Sequence, residues 1–253
     1  ERKVIVNQED SYRLDSLSTI SFNSGGISNK NEIYYDENGN QTLYILYLWR
    51  YNSQSFVPSS KSETSYDENG NQTLSIYYIW DTKSQSFVPY SKYEYSYDEN
   101  GNRTLYIDYR WDTESQSFVP DYKREYSYDE NGNQTLYIRY RWDTKSQSFV
   151  PYSKYESSYD ENGNQTLRIY YNWDTESQSF VPDYKREYSY DENGNQTLSI
   201  RYNWDTESQS FVPDSKYELS YDENGNQTLY IRYSSWDSES QTFVPYNRRE
   251  YSY

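Results

Sequence analysis

The chain has 253 residues, a net charge of −16 and no cysteine, histidine or methionine, while tyrosine occurs 36 times. Lacking Cys and His, it cannot host Ser–His or Cys–His nucleophilic catalysis, a disulfide scaffold or the usual zinc ligand sets. The acidic balance opposes nucleic-acid binding, which needs basic phosphate contacts. No apolar run reaches the ~18 residues of a spanning helix, so no membrane insertion is expected.

Only 33% of residues are hydrophobic, a composition that usually reads as disorder. Aromatic residues make up 20%, however, and each can bury ~150–250 Å². Tyr, Ile, Thr, Trp, Val and Phe fill the stretches between turns, which favours strands. The chain opens on Glu1 rather than methionine. A processed N-terminus or a cut fragment is therefore expected, with any signal peptide already gone, and the protein is read as extracellular or on the cell surface.

Residues 1–34 fall outside the repeat described below. Lys3–Val6 and Ser18–Phe22 read as short strands, Gly25-Gly26 as a turn, and the segment as a divergent N-terminal cap on an array. Residues 35–253 are a seven-copy array. The segment Tyr-Asp-Glu-Asn-Gly-Asn starts at Tyr35, Tyr66, Tyr97, Tyr128, Tyr159, Tyr190 and Tyr221, a period of 31 residues without a slip. Trp49 to Trp204 keep that period and Trp236 comes one residue late; all seven prolines follow Phe-Val. Periodicity of this length is the signature of a repeat architecture.

Within the unit spanning 87–119, Phe87 to Asp98 and Arg103 to Asp112 read as two strands. Asn100-Gly101 between them predicts a hairpin with a loop of two residues or of four, a type I′ turn having positive φ at both central residues. That hairpin pairs Ser96 with Leu105, Glu94 with Ile107, Lys92 with Tyr109 and Tyr90 with Trp111. Comparison of the seven copies gives an independent signal. Leu105, Ile107, Tyr109 and Trp111 are identical in all seven, as are Glu94 and Ser96, and Lys92 gives way only to Arg248. Tyr93, Tyr95, Tyr106, Asp108 and Arg110 vary. The fixed positions Lys92, Glu94, Ser96, Leu105, Ile107, Tyr109 and Trp111 thus share one face, which is predicted to be buried; a one-residue slip would scatter them. Lys92 and Glu94 would then need each other and tyrosine hydroxyls as partners.

Further along, the connection after Trp111 must keep the faces in phase. An odd loop, such as Glu114-Ser115-Gln116 with a bulge, is expected to place Val119 on the face of Trp111. The extra residue Ser235 should likewise form a bulge, so that Trp236 keeps its side. Each proline is expected at a strand start or in a gap between ladder hydrogen bonds. The chain stops at Tyr253, just before another Asp-Glu-Asn-Gly-Asn would begin, which suggests a natural continuation or a last strand awaiting a partner.

The fold class expected is all-β: a tandem-repeat antiparallel meander with two strands per repeat, forming an elongated, twisted or curled sheet. A parallel solenoid would stack Asp36, Glu37 and their equivalents ~4.8 Å apart, whereas a meander separates them by ~9.6 Å. Fourteen strands would extend ~67 Å along the ladder.

Residues Tyr95 to Asn102, with Thr104-Leu105, resemble the YD repeats of Rhs-type bacterial proteins. That resemblance implies long antiparallel sheets wound into hollow shells. The whole unit, with Trp-Asp-Thr and Ser-Phe-Val-Pro, is similar to tyrosine-rich repeats of secreted Bacteroidota surface proteins that carry a type IX sorting domain.

Little of the chain suggests chemistry. Asp98-Glu99 recurs as a solvated turn, whereas a glycosidase needs one asymmetric carboxylate pair in a cleft. Asp98, Asn100 and Asn102 form a weak calcium candidate whose glycine sits at the wrong place for a calcium loop. No other cofactor is expected. Asn102-Arg103-Thr104 matches a glycosylation acceptor but reads more simply as turn asparagine and strand threonine. The best binding candidates are Tyr93, Tyr95, Tyr106 and Tyr126, an aromatic strip for sugars or for another chain. Three functions follow as expectations. The first is a non-catalytic structural or adhesive protein that self-associates into fibres. The second is a glycan-binding module, and the third is a shell segment of an Rhs-like toxin.

Overall fold

The computed structural model describes residues 3–6, 16–23 and 26–253, and every element in it is a β-strand. The 17 strands are β1 Lys3–Val6, β2 Ser16–Asn23, β3 Gly26–Tyr35, β4 Gln41–Arg50, β5 Ser55–Tyr66, β6 Gln72–Asp81, β7 Ser86–Tyr97, β8 Arg103–Asp112 and β9 Ser117–Tyr128, then β10 Gln134–Asp143, β11 Ser148–Tyr159, β12 Gln165–Asp174, β13 Ser179–Tyr190, β14 Gln196–Asp205, β15 Ser210–Tyr221, β16 Gln227–Asp237 and β17 Thr242–Glu250. Both strands expected near the N-terminus are present as β1 and β2, paired antiparallel. Of the expected Gly25-Gly26 turn, Gly25 lies outside the described residues and Gly26 opens β3. Among the described residues there is no helix long and apolar enough to cross a membrane.

The chain divides into two compact units, Glu1–Lys123 and Arg124–Tyr253, with the division inside β9. Each unit is an antiparallel meander in which successive strands pair with their sequence neighbours. The all-β tandem meander is therefore the observed fold. In the first unit the ladder of the repeat already runs through β3, where Lys30 faces Tyr47 and Glu32 faces Ile45.

The hairpin register is as the Asn-Gly pattern requires: Ser96 faces Leu105, Glu94 faces Ile107 and Lys92 faces Tyr109. Its turn, however, is not type I′. Gly101 has φ 80°, while Asn100 is not left-handed. The Gly101 amide donates to the Asp98 carbonyl at 3.1 Å and the Asp98 amide donates to the Asn102 carbonyl at 2.9 Å. This is a type I turn followed by a left-handed glycine, the common three-residue hairpin loop. Alone it would shift the register by one. Tyr97 faces Arg103 but Ser96 faces Leu105, so Thr104 is bulged out and the phase is restored.

The second connection also differs from expectation. Asp81 faces Ser86 and Trp80 faces Phe87, which leaves four loop residues, an even number. It follows that Phe87, not Val88, shares the face of Trp80. The correction comes inside the strand. Tyr78 faces Pro89 and Tyr77 faces Ser91, so Tyr90 is an unpaired bulge residue and Lys92 returns to the fixed face. The same bulge follows Pro58, Pro151, Pro182, Pro213 and Pro245. Proline is thus the fourth residue of its strand, set beside the bulge where a missing N–H is tolerated. Tyr90 consequently does not face Trp111 as the simple register had it. At the late tryptophan, Tyr233 faces Pro245 and Ser235 faces Val244. The bulge is therefore at Ser234 and not, as expected, at Ser235, which is paired; Trp236 keeps its side and faces Phe243.

The predicted burial of the fixed face does not occur. Among the described residues no hydrophobic side chain is buried, and only Ser60, Ser91 and Ser157 are. The reason is that strands pack edge to edge and their principal contacts are with sequence neighbours. Within each unit, side chains on both faces are covered laterally by side chains of neighbouring strands.

Candidate functional site

On the fixed face the alternation of β7 and β8 brings Lys92, Glu94 and Tyr109 together. Lys92 Nζ donates to Glu94 Oε1 at 2.8 Å, and the Tyr109 hydroxyl donates to Glu94 Oε2 at 2.6 Å. Lys92 Nζ also lies 3.8 Å from the centre of the Tyr109 ring, a cation–π contact. The same carboxylate–phenol bond links Tyr47 to Glu32, Tyr78 to Glu63, Tyr140 to Glu125, Tyr171 to Glu156, Tyr202 to Glu187 and Tyr233 to Glu218. Burial alone would raise the Glu94 carboxyl, but the bonds from Lys92 and Tyr109 and the lysine charge outweigh it and hold it low. Burial pushes the Tyr78 phenol up, and its bond to Glu63 and that carboxylate's charge carry it to about 12. Both protons are therefore locked: the glutamate stays ionised and the phenol stays neutral. Such a pair is poorly suited to proton transfer near neutral pH.

Two further contacts complete the repeat, a Trp–Phe pair on the fixed face and a tyrosine hydroxyl bond on the other, and neither was foreseen. Trp111 meets Phe118 edge-on, ring centres 5.0 Å apart, and the six equivalent pairs match it within 0.1 Å. The hydroxyl of the motif tyrosine Tyr97 donates to the Gln72 carbonyl at 3.0 Å, 25 residues back. Tyr66, Tyr159 and Tyr190 do the same. The signal was available, because Tyr97, Trp111 and Phe118 are all invariant among the copies.

At the turn, Asp98 Oδ1 accepts from the amides of Asn100 and Asn102, and Oδ2 accepts from Asn102 Nδ2. In the equivalent Asp129 the Asn133 side-chain bond, with the backbone bonds, lowers the carboxyl against the opposing effect of burial. The calcium candidate Asp98, Asn100 and Asn102 is thus an internally bonded turn with donors aimed at its carboxylate. Among the described residues no cluster of three acidic side chains could hold a metal ion. Asp81 plays a similar part in the other loop, accepting from the amides of Lys83 and Ser84. There Gln85 takes the left-handed conformation, with φ 51°.

The variable face holds the tyrosine strip. In the first unit Tyr106 lies between Tyr93, 6.0 Å away, and Tyr95, 5.5 Å away. Tyr126 belongs to the second unit, where a row of rings runs Tyr126, Tyr137, Tyr155, Tyr170 and Tyr184 at spacings of 5.2, 4.8, 5.7 and 4.3 Å. Arg168 and Arg201 lie 4.5 and 4.4 Å from the Tyr155 and Tyr184 ring centres. Sequence alternation alone missed the bulge tyrosines Tyr90 and Tyr246, which are 58% and 69% exposed. In the first unit a shallow groove is lined by Ile79, Val88, Tyr90, Tyr93, Arg110 and Asp121. Arg110 Nε is 2.9 Å from Asp121 Oδ2. Aromatic rings beside a charged hydrogen-bonding pair can hold a polar, flat-faced ligand.

A family model matches residues 86–154. Its description is a family of unknown function, DUF3836. The match runs from the first residue of β7 into β11 and so covers the ladder, both turn types and the post-proline bulge. No curated protein matches the sequence. Among solved structures, a protein with unknown function from Bacteroides fragilis has 20% identity and a TM-score of 0.40, over 51% of this chain and 91% of that one. A DUF3836 family protein from Parabacteroides distasonis has 26% identity and a TM-score of 0.29, over 35% and 78%. The structure of TcdB2-TccC3-TEV has 13% identity and a TM-score of 0.48, over 97% of this chain and 13% of that one. No TM-score among these three reaches 0.5, so the fold assignment rests on the strands of this chain itself.

Proposed function

We propose that the chain is a non-catalytic, extracellular structural repeat protein, a surface element that adheres or assembles into fibres. The observation that supports this reading is the internal use of the invariant chemistry. Glu94, Lys92, Tyr109, Tyr97 and Asp98 each bond to another group of the same sheet, and the bonds recur in other copies. Residues repeated in this way hold strands together instead of converging on one reacting centre. The finer reading, a YD-type repeat of secreted Bacteroidota surface proteins, is supported by the role of the motif itself: its tyrosine staples one repeat to the previous one and its aspartate closes the turn. Electron microscopy of the purified protein over a concentration series tests the proposal. Filaments that lengthen with concentration support it, and short dispersed particles at every concentration oppose it.

A second reading, glycan binding, is favoured by the groove beside Tyr90 and Tyr93. A glycan array probed with the wild-type chain and with Tyr90→Ala and Tyr93→Ala variants separates the two. Binding that disappears in both variants supports a sugar site; no binding to any glycan excludes it.

A further inference from the structure

The row of rings in the second unit contains one pair unlike the rest. Tyr170 on β12 and Tyr184 on β13 are direct cross-strand partners, their ring centres lie 4.3 Å apart and their planes differ by only 22°. The equivalent positions in the other copies are Leu46 and Ser60, Tyr77 and Ser91, Asp108 and Tyr122, Arg139 and Ser153, Arg201 and Ser215, and Arg232 and Asn247. Two phenols therefore meet at this position in one copy of the seven. The side chains lie on the face away from the glutamates, since Tyr171 next to Tyr170 is the residue that bonds Glu156. Both are half-exposed, so the pair is open to solvent-borne oxidants. Tyr155 is 5.7 Å from Tyr170 and Tyr137 is 4.8 Å from Tyr155, so an electron vacancy formed on a neighbouring ring can reach the pair by short steps.

We propose that Tyr170 and Tyr184 form a dityrosine cross-link under oxidation by hydrogen peroxide and a haem peroxidase. Each phenol gives up one electron to the oxidant and its hydroxyl proton to water, leaving two tyrosyl radicals. The radicals join through their ortho carbons, and each ortho hydrogen then moves to the oxygen as aromaticity returns. Two tyrosines and one hydrogen peroxide thus yield one dityrosine and two waters, and the protein loses two hydrogen atoms. The bond joins neighbouring repeats across a loop that is otherwise held by hydrogen bonds and a Trp–Phe contact. It goes beyond the proposed structural function and does not depend on fibre formation.

The test treats the full chain with a haem peroxidase and limiting peroxide at high dilution, then digests it with trypsin and a glutamate-specific protease. Cleavage after Arg168, Glu176 and Lys185 places the two tyrosines on separate peptides. The expected product is those two peptides joined, lighter by two hydrogens than their sum and bearing dityrosine fluorescence. Tyr184→Phe, which keeps the ring and removes the phenol, should abolish that product, and Tyr171→Phe should leave it. Cross-links found mainly at exposed tyrosines such as Tyr246 and Tyr253, or no intramolecular dityrosine at all, would overturn the proposal. So would a joined product that persists in Tyr184→Phe.

Discussion

The phenol of Tyr109 illustrates how single residues act in this protein. It offers its ring face to the Lys92 ammonium and donates its hydrogen to Glu94. Tyrosine suits such a half-exposed position because its body is apolar and its tip polar. Replacing it with phenylalanine keeps the ring and removes only the donor. A hydrogen bond to a charged group contributes up to ~3 kcal/mol when sheltered, and partial exposure reduces this to about 1 kcal/mol. Tyr109→Phe should therefore lower the urea-unfolding free energy by that amount at neutral pH. The gap from wild type should narrow in acid, where Glu94 becomes protonated. The pH dependence of the whole chain has two limbs. Glu63, Glu94, Glu156 and Glu218 have lowered carboxyl values, so their contribution is present above the ordinary carboxylate range and lost as pH falls through the lowered ones. Tyr78, Tyr171 and Tyr202 have phenols raised to about 12. Their contribution is complete below the ordinary phenol value of ~10 and is lost as pH rises towards 12. Thermal melts from acid to alkali should accordingly fall at both ends; a melting temperature flat between pH 10 and 12 would contradict the alkaline limb.

The elements are governed by parity. Each strand alternates faces, so every extra residue in a turn must be cancelled nearby. The Asn-Gly loop is odd and is cancelled by the bulge at Thr104; the second loop is even, and the bulge at Tyr90 supplies the missing step. Deleting Tyr90 should turn Lys92 and Glu94 to the opposite face and destabilise the first unit far more than Tyr90→Ala, which removes a mostly exposed ring. Ser234 offers the opposite case. Its deletion would regenerate the regular spacing of Tyr202, Asn203 and Trp204, so its melting temperature should equal or exceed that of the wild type. If removing Ser234 were as damaging as removing Tyr90, bulge cancellation would not be the organising rule. The pairing of Lys92, Glu94 and Ser96 with Tyr109, Ile107 and Leu105 was legible from periodicity because two signals coincided. The loops were less legible, because different loop types can yield the same register once a bulge is allowed.

At the scale of the molecule, a chain with no buried hydrophobic residue among those described must rely on backbone ladders and lateral side-chain contacts. Its charge of −16 works against it, since like charges repel in any compact state. Much of that charge sits in the turns, where successive Asp-Glu pairs stand ~9.6 Å apart, close to the Debye length of ~10 Å at 0.1 M salt. Raising salt from about 10 to 150 mM should therefore raise the melting temperature. A fall would mean that the lysine–glutamate pairs, which salt weakens, outweigh turn repulsion.

The sequence alone determined the repeat, the all-β meander and the common face of Lys92, Glu94, Ser96, Leu105, Ile107 and Tyr109. These follow from a strict 31-residue period combined with the two-residue alternation of a strand. Tertiary structure decided what alternation leaves open: where the odd residue is bulged, and how far each face is covered. It also decided which variable tyrosines touch. Bulge position depends on backbone hydrogen bonds between strands, and ring contact depends on which copies lie side by side. Periodicity within one copy carries neither.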